Sequence, residues 1–379
     1  MGSFIKKLSD YYKYTDKFLW LLVVIVNIFS LIIISSMQRA GDYNYLRTQS
    51  IALTLGSIGA IVISCIDYKY IKKMWWLAAI SGLGLVLLVF LFGTKVEGTD
   101  DMAWVNVGGY SLQPSELVKM CFIITLSFHL SHLVKNDKLR SFPHILLLGA
   151  HGALPVLLIH MQGDDGSALI FALIFVIMTF AAGIQLRYYA AAVFAVGLAA
   201  PFVWTKVLND DQRNRFLVLF NRGSNDSLYG WQQYQAKLSI SAGGYLGEGL
   251  FKGQRVEMAI VPEQENDFIF TVVGEELGFI GCCIILILFI LMLFRIFYKS
   301  AAARDEFGQY LCIGVFAMLF SQISVNLGMV LGFLPVVGVT LPFFSAGGTS
   351  VLALMLCIGM VQSVNYYSDD ERLIIKSRK

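Results

Sequence analysis

Ten long apolar segments constrain the fold of this 379-residue chain more than any other feature. Each has roughly 17 residues or more, which is enough for an α-helix to cross the hydrocarbon core of a bilayer. The chain is 57% hydrophobic, above the usual share in soluble domains. The sequence therefore predicts an all-α polytopic integral membrane protein, and the expected spans are 18–37, 50–66, 74–92, 112–133, 145–161, 167–184, 188–208, 268–297, 310–333 and 349–366.

The fifth expected span is the least regular, because His151, Pro155 and His160 interrupt its apolar pattern. The six cysteines all fall within expected spans, so they are interpreted as small apolar side chains rather than as disulfide partners or metal ligands. We find no P-loop or dinucleotide-binding fingerprint, and no metal-spaced cluster of His and Cys. A net charge of +3 gives no indication of nucleic-acid binding.

Basic residues predict the orientation of the spans. Both ends of the chain and the loops after every second span are rich in Lys and Arg, whereas the short loops on the other side hold only Arg39, Arg47 and Lys95. Because basic loops stay in the cytoplasm, we expect two cytoplasmic tails, 1–17 and 367–379, around one membrane domain, 18–366. Segment 209–266, between spans seven and eight, is then a long extracellular loop.

The fourth span opens with the motif Gln-Pro-Ser-Glu-Leu-Val-Lys at 113–119. Proline suits a helix start, and Glu116 and Lys119 are three residues apart on one helix face. Two interpretations stay open: an ion pair that fixes the depth of the helix, or one charged wall of a cavity open to the outside.

An acidic turn, Gln-Gly-Asp-Asp-Gly-Ser at 162–167, joins spans five and six. Asp164 or Asp165 is expected to cap the sixth helix through its free N–H groups. A role at a metal or pyrophosphate site is the alternative.

The long segment 209–266 combines Arg213, Arg215, Gln232 and Lys237 with aromatic residues and glycines. Side chains of these types bind sugar rings and phosphates, because Arg pairs with two phosphate oxygens at once. An amphipathic stretch lying in the headgroup layer is the alternative interpretation.

The motif Pro-Glu-Gln-Glu-Asn-Asp-Phe-Ile-Phe at 262–270 carries Glu263 and places Asp267 where this loop meets the eighth span. An acid at a membrane surface is costly unless it has a function. Glu275 and Glu276 follow inside the span, and at least one of them is expected to meet a cation, a hydroxyl or water, or to stay protonated.

After Asn326, segment 331–348 is broken by Pro335, Pro342 and several glycines, and contains Ser345. Broken backbone at membrane depth is tolerated only where it is buried in protein or lines a cavity. This pattern predicts a re-entrant outer loop between spans nine and ten.

Taken together and in this order, these motifs resemble the SEDS family (shape, elongation, division and sporulation) over most of the chain. The resemblance implies a ten-helix fold, peptidoglycan glycosyltransferase activity on lipid II, and a class B penicillin-binding protein as partner in the bacterial cell membrane. It also implies that Asp267 is the general base. The implied substrate and pyrophosphate contacts are Glu116, Lys119, Arg213, Arg215, Gln232, Lys237, Glu263 and Ser345, and the structural or cavity positions are Asp164, Glu275, Glu276, Asn326 and Pro335.

No organic cofactor is expected, but Mg²⁺ or Mn²⁺ would serve the departing pyrophosphate, with Asp164 and Asp267 as candidate ligands. Two departures from the family pattern concern substrate contacts. The chain has Gly163 and a second acid, Asp165, in the acidic turn, and Asp101-Met102-Ala103 where a basic residue usually precedes Trp104. Short tails favour the branch that serves elongation and cell shape over division or sporulation.

Two other classes of function fit part of the pattern. A flippase or transporter of the lipid-linked precursor also has many spans, broken helices and membrane charges. However, the two halves show no clear repeat, and the polar residues gather at one face rather than at the midplane. A non-catalytic scaffold for a penicillin-binding protein is the third class, and it predicts that Asp267 is dispensable.

Overall fold

The computed structural model describes residues 15–38, 44–94, 102–220 and 228–377. Within them the chain forms fourteen helices and one short hairpin, numbered here in chain order. The helices are α1 Lys17–Met37, α2 Tyr45–Ser64, α3 Tyr68–Lys73, α4 Trp75–Phe92, α5 Pro114–Lys135, α6 Phe142–His160, α7 Asp165–Ala181, α8 Leu186–Phe202, α9 Asp210–Phe220, α10 Leu228–Ala242, α11 Gln254–Glu257, α12 Ile269–Ala302, α13 Glu306–Val330 and α14 Gly348–Ser377.

The predicted all-α membrane architecture is confirmed. In the described part of the chain, nine helices are long and apolar enough to cross a membrane, and α7 is a shorter apolar helix in the position of the sixth expected span. Most helix bounds lie within about five residues of the prediction, the usual scale of error at helix ends. At the carboxyl end, α14 continues to Ser377 instead of ending near 366.

Helices α5, α13 and α14 form the centre of the bundle, since at least two-thirds of each apolar stretch is buried. Helices α4, α6 and α8 lie at the periphery and expose Leu83, Leu146 and Phe194. Because lipid tails are as apolar as leucine, such faces are compatible with a bilayer and not with water. The polar groups of the molecule are consequently concentrated in the centre and at the two ends.

Small residues let α2 and α14 approach each other closely. A side chain on Gly359 would place its Cβ 2.6 Å from the carbonyl oxygen of Ala60. Gly56 faces Met355 in the same way, at 2.9 Å. This small-residue packing is the usual means of joining helices in a membrane, where no hydrophobic drive exists between them.

Helix ends follow from local chemistry. The carboxylates of Asp16 and Asp305 cap α1 and α13 by accepting backbone hydrogen bonds from Leu19 (3.1 Å) and Gly308 (3.0 Å). Pro201 lies inside α8, which ends in a π-helical turn, Val203–Val207. Proline lacks the amide proton that a regular helix needs, so a local change of helix type at this point is expected.

Segment 209–266 is not an irregular loop. Its described residues include three helices, α9, α10 and α11, which the apolar pattern did not predict. A further unpredicted element precedes α5, where β1 Val105–Val107 and β2 Tyr110–Leu112 form an antiparallel hairpin. Gly108 and Gly109 both have positive φ, as a two-residue hairpin turn requires.

Helix α12 is broken near its start, at Gly278, where φ is +66° and ψ is −163°. Segment 243–249 replaces the lost helical hydrogen bonds. Its amides at Glu248 and Gly249 donate to the carbonyls of Glu275 (2.9 Å) and Glu276 (3.1 Å), and the amide of Phe279 donates to Gly244 (2.9 Å). Two carbonyls before the break and an amide after it are therefore paired with a neighbouring piece of chain.

Candidate functional site

Asp267 lies at the end of the loop that connects α11 to α12 and is half-buried. Its main-chain carbonyl accepts a 2.7 Å hydrogen bond from the side-chain amide of Asn326 on α13. Its carboxylate oxygens accept no hydrogen bond from the described residues. Gly338 has φ +66° and sits beside this carboxylate, because a Cβ there would lie 3.5 Å from Oδ2. The backbone of Asp267 is held while its carboxyl group is left available.

The surroundings of Asp267 favour its protonated form. Burial raises the pKa of the carboxyl to about 7, and the negative charges of Glu263, Asp164 and Glu265 act in the same direction. The guanidinium of Arg215 opposes them and lowers the pKa. A carboxyl with a pKa near neutrality is suited to accept a proton during a reaction.

The two arginines of α9 have different positions. Arg215 is near enough to Asp267 to lower the pKa of the Asp267 carboxyl. The Nη1 atom of Arg215 lies 3.4 Å from the carbonyl oxygen of Val336. Arg213 instead donates to the carbonyls of Trp204 (2.8 Å) and Thr205 (3.2 Å), where it closes the end of α8. Of the two arginines predicted to contact the substrate, Arg215 is the one that lies near Asp267.

Asp164 caps α7, as predicted: its Oδ1 accepts a 2.8 Å hydrogen bond from the backbone amide of Ser167. Its Oδ2 accepts two more hydrogen bonds, from Gln113 (2.9 Å) and Ser115 (3.1 Å) at the start of α5. Asp164 thus joins the first turns of two helices. Asp165, the second acid of this turn, is 2.5 Å from His160 and accepts a 2.6 Å hydrogen bond from Gln212 of α9.

Glu116 and Lys119 form an ion pair with an N–O distance of 2.7 Å. Their side chains are only 5% and 1% exposed, so the charges compensate each other inside the bundle. This geometry confirms that the two residues share a helix face. In this conformation the ammonium group of Lys119 is directed to Glu116 rather than to an open cavity.

Several other predicted contacts hold loops together. The hydroxyl of Ser345 donates to the carbonyl of Asn266 (2.5 Å) and accepts from the amide of Leu341 (2.8 Å). Lys237 is exposed on α10 and lies against the turn at Gly332. Glu263, with φ +54°, accepts a 2.8 Å hydrogen bond from Asn266.

Two further predicted positions complete this set. The Oε1 of Gln232 is buried and has no hydrogen-bond partner among the described residues. Pro335 lies in the helix-free connection 331–347 between α13 and α14. Val337 of that connection lies against the first turn of α7, since a Cβ on Gly166 would lie 2.0 Å from the carbonyl oxygen of Val337.

Glu275 and Glu276 brace the start of α12. Both are fully buried. Oε1 of Glu275 accepts hydrogen bonds from the amides of Arg255 (2.7 Å) and Val256 (3.2 Å) in α11, and Glu276 is hydrogen-bonded to the hydroxyl of Ser36 on α1. The expectation that one of these acids meets a hydroxyl is confirmed.

The described residues do not fit a preassembled metal site. No group of three or more His, Cys, Asp or Glu side chains in the described part of the chain is arranged to hold a metal ion. Both carboxylate oxygens of Asp164, the other candidate ligand, already accept hydrogen bonds from protein groups. We derive no step through a metal ion.

A cavity of about 580 Å³ lies next to this site. It is bounded by α2, the hairpin and the start of α14, and its lining includes Gln49, Trp104, Asn266 and Thr349. Most of its wall is apolar, with polar groups near Asn266. A lining of this kind suits a ligand that has a polar part and a larger apolar part.

Sequence reasoning missed three contributors to the site. Gln113 was recognised only as part of a helix start, although it binds Asp164. Glu265 accepts a 2.7 Å hydrogen bond from the hydroxyl of Tyr45 on α2. Gly338 leaves room beside Asp267. The acidic repeat Glu263-Gln264-Glu265 before Asp267 was the one available signal that several charges surround it.

Fold and site together define a class of polytopic membrane protein. In this class a half-buried carboxyl lies between loops, near an arginine side chain and next to a largely apolar cavity. The sequence matches the profile of the cell cycle protein family, which groups FtsW, RodA and SpoVE, over residues 14–370. The chain belongs to this family.

Curated relatives carry two names. Probable peptidoglycan glycosyltransferase FtsW of Trichlorobacter lovleyi is 32% identical over 382 residues, which cover 95% of this chain and 94% of the relative. Peptidoglycan glycosyltransferase MrdB of Escherichia coli is 30% identical over 352 residues, which cover 92% and 93%. Since both kinds of relative align over nearly the whole chain, the preference for the elongation branch stays a prediction.

Solved structures show the same fold. One, described as the structural coordination of polymerization and crosslinking by a peptidoglycan synthase complex, has a TM-score of 0.80 at 27% identity and covers 93% of this chain and 98% of that chain. The rod shape determining protein RodA of Thermus thermophilus has a TM-score of 0.68 at 26% identity, with 93% and 96% covered.

Proposed function

We propose that this protein is a peptidoglycan glycosyltransferase that polymerises lipid II and that Asp267 is its general base. The membership of the family and the names of its relatives support the activity. The observation that carries the role of Asp267 is its free carboxylate, which has a pKa of about 7 and lies near a guanidinium. A carboxyl that only stabilised the fold would be expected to accept hydrogen bonds, as Asp164 does.

The reaction needs a base and a positive charge. The 4-hydroxyl of the acceptor sugar attacks the anomeric carbon of the donor sugar, a new glycosidic bond forms, and the bond to the lipid pyrophosphate breaks. Asp267 takes the hydroxyl proton as the bond forms, a contribution typically worth about 10²–10⁴-fold. We assign the stabilisation of the departing pyrophosphate to Arg215, because its guanidinium acts on Asp267 and because Arg binds two phosphate oxygens at once.

The apolar cavity beside Asn266 supplies the place for the lipid part of a substrate. Its volume of about 580 Å³ accommodates part of a long chain while the sugars stay near Asp267. This arrangement keeps the reacting groups at one end of the bundle, which favours polymerisation over passage through the midplane.

Purified protein tests the base. We expect Asp267→Asn, which keeps the shape and removes the base, to lower lipid II polymerisation in detergent by about 10²-fold or more. Asp267→Glu moves the carboxylate by one methylene and is expected to be impaired as well. Asp210→Asn is the matched control, because Asp210 is an exposed acid of the same outer segment.

A rate for Asp267→Asn within a few-fold of the parent would contradict the assignment and favour the scaffold interpretation. Polymer formed by the parent in detergent needs no transport, so the same assay separates catalysis from flipping. Membrane insertion and protein level should be near normal in all variants.

We further propose that the Asp267 end of the bundle faces outward from the bacterial cytoplasmic membrane and that both termini are cytoplasmic. Basic residues gather at the opposite end, where Arg295 and Lys299 lie 2.6 Å and 3.1 Å from Asp16 and Lys72 lies 2.9 Å from Asp305. The positive-inside rule then assigns that end to the cytoplasm.

The proposed partner is a class B penicillin-binding protein with one membrane span. A structural relative is described as coordinating polymerization and crosslinking within a synthase complex, which supports pairing with a crosslinking enzyme. Because membrane helices associate through close packing, we expect the partner to raise turnover. Equal turnover by the isolated protein and the complex would contradict this part of the proposal.

A further inference from the structure

Helix α9 carries Arg215, and its large apolar side chains do little to fix its position. Phe216, Leu217 and Phe220 are 43%, 45% and 83% exposed. The helix packs mainly against α10, the next helix along the chain. A helix that buries little apolar surface is located mainly by its polar contacts. The polar contacts of α9 therefore have a large share in placing Arg215.

The first turn of α9 is closed by a reciprocal pair of hydrogen bonds. The backbone amide of Gln212 donates to Oδ1 of Asn209 at 2.8 Å, and the backbone amide of Asn209 donates to Oε1 of Gln212 at 3.1 Å. This arrangement is a capping box, in which two side chains satisfy free amides at a helix start. Because the oxygen of the Gln212 side chain is used by a backbone donor, its NH₂ group is left for a contact outside α9.

That NH₂ group joins α9 to α7. It donates a 2.6 Å hydrogen bond to Oδ2 of Asp165, in the first turn of α7. The other carboxylate oxygen of Asp165, Oδ1, lies 2.5 Å from Nδ1 of His160, at the end of α6. Hydrogen bonds to a carboxylate are stronger than those between neutral groups. Asp165 therefore links the ends of three helices, α6, α7 and α9.

The residue that anchors α9 and Arg215 lie on the same face of this helix. Gln212 and Arg215 are three residues apart, which makes them neighbours on a helix surface. Gln212 contacts Asp165, whereas Nη1 of Arg215 lies 3.4 Å from the carbonyl oxygen of Val336 in the connection 331–347. The anchored face of α9 is therefore also the face that reaches the candidate site.

The connection 331–347 also contacts α7 directly. A Cβ on Gly166 would lie 2.0 Å from the carbonyl oxygen of Val337, so the two backbones touch. Gly166 follows Asp165 in the chain. The contacts accordingly form a closed ring from α7 to α9, from α9 to the connection, and from the connection back to α7. Without the Asp165 contact the ring opens, and α9 can carry Arg215 away from the connection.

We propose that Asp165 is a positioning residue that acts through Gln212 to fix Arg215. It holds α9 so that the guanidinium of Arg215 stays near Asp267. This role rests on the proposed function, because it assigns a value to the charge that Arg215 brings to the departing pyrophosphate. An acid in the first turn of α7 also suits the positive end of the helix dipole, and that local role is the alternative. Only the positioning role depends on Gln212.

An exchange of the two partners tests the contact. Gln212→Glu keeps an oxygen for the capping box and places a second carboxylate against Asp165. We expect kcat for lipid II polymerisation by the purified full-length protein to fall about ten-fold with little change in KM, since a displacement of about 1 Å can cost on the order of 10²-fold. Adding Asp165→Asn restores the hydrogen bond with donor and acceptor exchanged, at the parental net charge, and should recover most of the loss. Asp210→Asn, at a 91% exposed acid of α9, is the matched control and should keep the parental rate.

Combination with Arg215→Ala separates positioning from general stability. Asp165→Ala should lower kcat about ten-fold in the parent protein, but less than about two-fold in the Arg215→Ala protein, because residues that act as a unit are not additive. The local role in α7 predicts the same fold-loss in both backgrounds. Equal losses would therefore overturn the proposal.

Hydrogen exchange measures the anchor without polymerisation. Peptides within 210–220 should exchange about ten-fold faster in Gln212→Glu than in the parent, and at nearly the parental rate in the exchanged pair. Thermal unfolding establishes that each variant is folded, and Asp165→Ala decides the matter if Gln212→Glu is not. Unchanged exchange in a folded variant, no recovery in the exchanged pair, or faster exchange at full kcat would overturn the proposal. A parent protein that makes no polymer would contradict the proposed function instead, and the exchange rates would still decide whether Asp165 holds α9.

Discussion

Asn326 on α13 holds the main chain of Asp267 from a neighbouring helix, through a 2.7 Å hydrogen bond from its side-chain amide to the Asp267 carbonyl. The same amide nitrogen donates to the carbonyl of Val339, also at 2.7 Å. One buried side chain therefore fixes two loops that meet at the candidate base. The hydroxyl of Ser345 and the amide of Ala346 join the same two loops through the carbonyls of Asn266 and Glu265, and Asn326 supplies the contact next to Asp267 itself.

Replacing Asn326 by Asp should separate these loops. The variant loses both donors and turns a carboxylate toward two carbonyls, so we expect polymerisation to fall by about 10²-fold, since a misplacement of about 1 Å can cost that much. Thermal unfolding and lipid II polymerisation check this. Ser324→Ala, at an exposed position of the same helix, is the control and should change neither. Full activity of Asn326→Asp would show that the loops are held by other contacts.

Polymerisation should depend on pH through Asp267. A general base works when deprotonated, so with a pKa of about 7 the rate should rise with pH up to about 7 and then level off. Glu263→Gln removes a negative charge that raises this pKa, and should move the midpoint to lower pH. Rates of purified protein between about pH 5.5 and 9 check both expectations. A profile that is flat through this range would contradict the assignment.

The buried pair of Glu116 and Lys119 gives a stability prediction. Lys119→Met leaves a carboxylate buried without its partner, so we expect a loss of about 3–5 kcal/mol in the free energy of unfolding. The double variant Glu116→Leu/Lys119→Met removes both charges and should recover most of it. Thermal unfolding in detergent measures this. Polymerisation by a stable double variant would then favour the ion-pair interpretation, and its loss the charged-wall interpretation.

Gly243 tests the contact at the break of α12. A Cβ at this position would lie 1.9 Å from the carbonyl oxygen of Gly274, so Gly243→Ala should push the two segments apart and cost about 1–3 kcal/mol or more. Gly197→Ala is the control, because nothing lies within 4 Å of a Cβ there. Equal unfolding temperatures of the two variants would mean that the contact adds little.

Cysteine labelling in intact cells tests the orientation. In a background without the exposed Cys65, a probe that cannot cross the membrane should label Ser227→Cys and not Lys376→Cys, because the long segment 209–266 is expected outside. The reverse pattern would overturn the topology and the placement of the Asp267 site on the outer face.

Much of the fold could be predicted because membrane helices are encoded by length and hydrophobicity alone. Contacts three residues apart were equally accessible: the spacing of Glu116 and Lys119 and the capping position of Asp164 follow from helix geometry. Helices α9, α10 and α11 were not predicted, because they lack a long apolar run.

Contacts between segments that are far apart along the chain could not be predicted from the sequence. Arg213 and Arg215 are two residues apart, so they point in different directions on a helix, and nothing local indicates which one faces Asp267. Ser345 illustrates the same limit, since its short polar side chain suits a substrate contact as well as the loop bonds that it makes.

The paired break at Gly278 has a consequence for biogenesis. Unpaired amides and carbonyls cost several kcal/mol in an apolar environment, so the nascent segment 269–302 should enter the membrane as an unbroken helix. Segment 243–249 supplies replacement partners only after it docks. The positive-φ break at Gly278 then forms late in assembly, and a ribosome-bound chain should complete the Asp267 end of the bundle only after helix α12 is in place.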